Sequence, residues 1–161
     1  MNLYSPHLIV VPEDDVNCEI ALGFKIGVEH SKARCVRIEP VARGWAKVVE
    51  VCEALVPSMM KFAGRHIVLL MDFDGAFDRR SALVIAKVPL TCRDRVFLLG
   101  TRDEPQDLNV ELRDSSFESI GKKLAKACES NLMNSEWNAK QLNQNAEELA
   151  RLQVIVRPML F

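Results

Sequence analysis

The chain has 161 residues, of which 48% are hydrophobic and 27% charged, with a net charge of −1. That length suits one domain with room for a sizeable core, and the near-neutral balance excludes a protein that holds nucleic acid by bulk positive charge. Five scattered cysteines with no Cys-x-x-Cys pair, only three histidines and no run approaching ~18 apolar residues argue against a zinc site, an oxidising compartment and a membrane span, so a cytoplasmic protein is expected.

Leu8 to Val11 is the first apolar run. It is continuous rather than alternating, as in a strand covered on both faces. It ends in Pro12-Glu13-Asp14-Asp15, where Asp14 or Asp15 suits the N-cap of a helix over Val16 to Val28. Gly23 and Gly27 weaken that helix. Cys35 to Ile38 alternates more and reads as an edge strand. Gly44 then precedes a helix over Trp45 to Phe62, whose stripe is Trp45, Val48, Val49, Cys52, Leu55 and Val56, with Pro57 as a kink point. Ile67 to Met71 is the third run, again continuous, and ends in Asp72-Phe73-Asp74-Gly75. A short helix is expected over Ser81 to Val88. Val96 to Leu99 is the fourth run, and Thr101 to Pro105 after it reads as a polar loop. Ser115 or Ser116 suits the cap of a helix over Ser116 to Ala127. A last helix is expected over Trp137 to Val156, with its many Asn and Gln side chains on a solvated face and Pro158 at its end. The apolar Met159-Leu160-Phe161 is expected to dock on the body or in a partner.

The order βαβαβαβα with an extra C-terminal helix predicts an α/β fold. It is a Rossmann-like three-layer sandwich around a parallel sheet, with right-handed crossovers. Residues 1–161 form one domain in this reading, with a core over about 8–128 and a helical extension over about 129–161. Functional groups in such sheets lie beyond the carboxyl ends of the strands. Both acidic clusters fall there. If the first and third strands are neighbours, Glu13, Asp72 and Asp74 converge. Crowded carboxylates repel unless a cation joins them, and an oxygen-only donor set fits Mg2+ or Mn2+. Were the strand to continue, Asp72 and Asp74 would share a face while Phe73 entered the core. Asp78 is a further candidate ligand, and Arg79 and Arg80 are candidates to hold a substrate phosphate.

The glutamate after the first strand and the Asp-x-Asp after the third resemble the Toprim fold, over about residues 8 to 128. That fold occurs in topoisomerases, bacterial primases, small ribonuclease-maturases and the overcoming-lysogenization-defect (OLD) nucleases. The resemblance implies that Glu13, Asp72 and Asp74 are catalytic and metal-binding, and that the reaction is metal-dependent phosphodiester chemistry on DNA or RNA. It implies a stand-alone nuclease branch of defence or toxin systems, with an ATPase as a separate protein partner. The chain departs from the family pattern at Asp14, where glycine is usual, and at Asn17, where the nuclease branch often has a carboxylate. The alternative reading is a non-catalytic regulatory or partner-binding module that keeps the acidic pocket. It includes a receiver-like phosphoacceptor domain, which Glu13-Asp14-Asp15, Asp72 and Thr101 also resemble.

Overall fold

The computed structural model describes residues 4–130 and 136–161. Four short apolar runs become β1 (His7–Pro12), β2 (Val36–Ile38), β3 (Arg65–Leu70) and β4 (Val96–Leu99). All pair in parallel, in the order β2-β1-β3-β4. The alternating run is indeed at an edge, and β1 and β3 are neighbours in the register His7 with Arg65 through Pro12 with Leu70. This is the α/β parallel architecture that the alternation of elements predicts.

Each strand divides its side chains between two cores because successive residues face opposite sides of a sheet. Leu8, Val10, Val68, Phe97 and Leu99 face one way. They pack against α1 (Asp15–Gly27), α6 (Phe117–Glu129) and the C-terminal segment. Ile9, Val11, Ile67, Leu69 and Leu98 face the other way, onto α3 (Trp45–Lys61) and α4 (Phe77–Lys87). The short α2 (His30–Ala33) links α1 to β2. Among the described residues no helix is long and apolar enough to cross a membrane.

Three sequence expectations need correction. The segment after β4 is not only a loop. It leads into α5 (Pro105–Leu112), which starts with proline in its first turn, where the missing N–H costs nothing. Within α5 only Pro105 and Leu108 are buried, so its apolar stripe is too thin to read as a helix. Secondly, α4 begins at Phe77 rather than Ser81. Phe77 joins the core by an edge-to-face contact with Phe73, which pulls the first turn onto the sheet. Thirdly, Trp137 to Val156 is not one helix. It is a 3-10 turn at Glu136–Asn138, another at Asn143–Asn145, then α7 (Ala146–Ile155) and the short α8 (Arg157–Leu160). Pro158 lies inside α8 rather than ending a helix.

The last helix covers a sheet edge. β4 is an edge strand, so its outward N–H and C=O groups would be left bare. Asn145 Oδ1 accepts from Gly100 N at 3.1 Å, and its Nδ2 donates to Gly100 O at 2.9 Å. Glu148 accepts from Leu98 N at 3.1 Å, and Arg151 donates to Val96 O at 3.3 Å. Side chains thus stand in for a fifth strand, from Asn145 at the start of α7 and from Glu148 and Arg151 within it. The C-terminal residues dock on the body: Leu160 is buried and the Phe161 ring meets Phe24 edge-on at 6.4 Å.

Candidate functional site

The carboxyl ends of β1, β3 and β4 supply the site. Glu13 directly follows β1, and its N–H continues the ladder to Leu70 O at 2.9 Å. Asp72 follows β3, and its backbone N–H donates to Glu13 Oε2 at 3.1 Å. The register of β1 on β3 thus brings these two groups together. Phe73 turns into the core and is fully buried, and its N–H donates to Thr101 O at 3.0 Å. That aromatic anchor fixes Asp72 at the mouth.

Asp72 Oδ1 is held from two sides. Thr101 Oγ1, just beyond β4, donates to it at 2.7 Å, and Asn17 Nδ2 donates at 3.2 Å. Asn17 is oriented in turn by Asp14, which accepts from Asn17 N at 2.8 Å as the N-cap of α1 and from Asn17 Nδ2 at 2.9 Å. Both departures from the family pattern therefore have work in this chain: Asp14 caps the helix and aims the amide that holds Asp72. Among the described residues, no hydrogen bond reaches Asp72 Oδ2 or Glu13 Oε1. Each carboxylate has one committed oxygen and one uncommitted.

Both carboxyls are shifted by their surroundings. Burial raises the Glu13 carboxyl above its usual range, against the lowering effect of the Asp72 N–H, and the Asp72 charge raises it further. Burial also raises Asp72. The bonds from Thr101 and Asn17 oppose this, whereas the charges of Asp14 and Asp74 add to it. Burial and neighbouring negative charge thus both act against ionisation of these two half-buried carboxyls.

Asp74 lies elsewhere. β3 stops at Leu70, so strand alternation does not extend to Asp72 and Asp74. Asp74 has φ +47° in the turn ahead of α4, and its carboxylate pairs with Arg80. Asp78 and Arg79 are exposed on the first turn of α4, and Arg80 is buried. Among the described residues no three Asp, Glu, His or Cys side chains stand gathered around one point as a metal cage. The structure therefore brings Glu13 and Asp72 together, and leaves Asp74 and Asp78 outside their contact.

Gln141 was legible in sequence only as a surface amide. In the fold its backbone O accepts from Arg102 N at 2.8 Å and its Oε1 accepts from Asp103 N at 3.0 Å. It clamps the loop that carries Thr101. No local pattern announces this, because its partners are 38 residues away in the chain.

Comparison of the chain with protein-family models, with curated proteins and with solved structures gives no match in any of the three.

Proposed function

We propose that this chain is a divalent-cation-dependent, nuclease-like domain of Toprim type that acts on phosphodiester bonds of DNA or RNA. One observation carries the reading: Glu13 and Asp72 adjoin at the carboxyl edge of neighbouring strands, each with one uncommitted oxygen. The donor set fits Mg2+ or Mn2+, because it offers hard oxygens and no thiolate or imidazole. Glu13 and Asp72 would hold the cation, with Asp74 joining from the adjacent turn and Asp78 from α4. When bound, the cation supplies positive charge against the charge that develops on the phosphodiester.

The chain's own groups supply the rest. Thr101 and Asn17 fix the Asp72 carboxylate, so it need not reorganise. Burial raises the Glu13 carboxyl, the direction that suits a group exchanging protons with the substrate. The five free cysteines suit a reducing, cytoplasmic setting. A separate ATPase partner in a defence or toxin system belongs to the same reading.

The test is cleavage of plasmid DNA and of single-stranded RNA with Mg2+ or Mn2+, alongside calorimetric titration of each cation. Cleavage that stops with a chelator and in Asp72→Ala is the expected result. A wild-type chain that neither cleaves these substrates nor binds either cation would sink the reading.

The bond from Thr101 to Asp72 favours a second reading, a receiver-like phosphoacceptor. There Asp72 Oδ2 would attack acetyl phosphate, forming an acyl phosphate and releasing acetate. Mass spectrometry showing one added phosphoryl group, absent in Asp72→Asn, would select it.

A further inference from the structure

The carboxylate pair does not account for Arg80. The residue is 9% exposed, and its guanidinium carbon lies 5.3 Å from the centre of the Trp45 ring. Nη2 pairs with Asp74. Nη1 is buried and has no hydrogen-bond partner among the described residues. Protein interiors rarely leave a charged donor unpaired, so this nitrogen points to an acceptor that is not part of the resting structure.

The surroundings say what kind of acceptor. Trp45 is the first residue of α3, whose N-cap is Gly44, with no side-chain cap and no acidic residue in the first turn. The amides of Trp45 and Ala46 thus keep the positive pole of a long helix uncompensated. Arg43, exposed just before it, is tied by its N–H to Glu13 O at 2.7 Å. The backbone ahead of the helix pole is thus tied to Glu13, and the charge of Arg80 is felt at the Glu13 carboxyl.

Asp74 differs from Arg80 in mobility of access. Its side chain is 60% exposed and that of Arg80 only 10%. The acid can swing away into water, whereas the guanidinium is packed over an indole. We propose that Arg80 and the amino-terminal turn of α3 form a phosphate-binding subsite beside the carboxylate pair, and that Asp74 closes it as a surrogate anion. A phosphate offers several acceptor oxygens to one guanidinium, so it can satisfy Nη1 and Nη2 together where Asp74 meets only Nη2. The inference rests on the phosphodiesterase reading for its biological use: it places a phosphate of the substrate next to Glu13. Departure of Asp74 toward a cation would open the subsite at the moment the carboxylate pocket fills.

The test uses inorganic phosphate as probe, with a chelator present and no divalent cation. Amide and indole resonances of the 15N-labelled chain are followed during the titration. Asp74→Asn is expected to bind phosphate roughly tenfold more tightly than wild type, the size of one charge-assisted contact. The largest shifts should fall on Trp45 and Ala46. Adding Arg80→Lys to Asp74→Asn should lose the gain, because an ammonium lacks the planar fork. If Asp74→Asn binds no more tightly, or the shifts fall away from α3, the subsite is refuted. Should the Arg80→Lys protein fail to fold, Asp74→Asn alone decides. No cation enters this experiment, so its outcome is separable from failure of cation binding or cleavage.

Discussion

Asp72 receives two hydrogen bonds on one oxygen, gives its N–H to Glu13, and feels the charges of Asp14 and Asp74. The direction of its shift has a thermodynamic consequence. A carboxyl raised by folding binds more protons in the native state than in the unfolded chain at pH values between the two pKa values. Its contribution to stability is complete below the unfolded value, near 3.8 for Asp72 and 4.5 for Glu13. That contribution is lost as pH rises through the higher native value. Asp72→Asn keeps an acceptor for Thr101 and Asn17 but cannot ionise. Calorimetric melting across pH should show it more stable than wild type at neutral pH and no more stable at low pH. Each kcal/mol recovered corresponds to about 2–4 °C in Tm for a domain of this size. A lower Tm at neutral pH would show that the ionised carboxylate is stabilising.

At the scale of elements, α1 and α6 illustrate what local propensity leaves out. Gly23 and Gly27 read in sequence as weak points of a helix. In the fold, a Cβ on Gly23 would lie 2.0 Å from Glu118 O, and one on Gly121 would lie 2.1 Å from Ile20 O. The two helices meet backbone to backbone at these glycines. Gly23→Ala and Gly121→Ala should gain nothing from the ~1 kcal/mol better helix propensity of alanine. They should instead lose about 1–3 kcal/mol in urea unfolding, the cost of overpacking a site that cannot yield. Unchanged or increased stability would mean that the helices can separate. The N-cap of α1 was legible because an acidic side chain before an apolar stripe acts within one turn. The close approach was not legible, because it depends on a helix almost a hundred residues further along the chain.

Over the whole molecule, the C-terminal segment closes both the sheet edge and the site loop. Asn145 is fully buried and serves Gly100 N and Gly100 O at once. Asn145→Ala should lower stability by about 1–3 kcal/mol, because it strands buried backbone groups rather than removing a surface amide. Denaturant midpoints measure this; a change within ~0.5 kcal/mol would return Asn145 to the surface role that its composition suggests. The sequence by itself determined the parallel α/β architecture, the edge position of β2 and the placing of Glu13 and Asp72 beyond their strands, while the neighbouring of β1 and β3 was open until the sheet order settled it. Continuous apolar runs, caps and alternation act within a few residues, so they survive being read in one dimension. Only the tertiary structure decided that Asp74 turns to Arg80, that Thr101 and Asn17 hold Asp72, and that amides from the C-terminal segment complete β4. Those contacts are chosen by competition among partners distant in the chain, which no local pattern ranks.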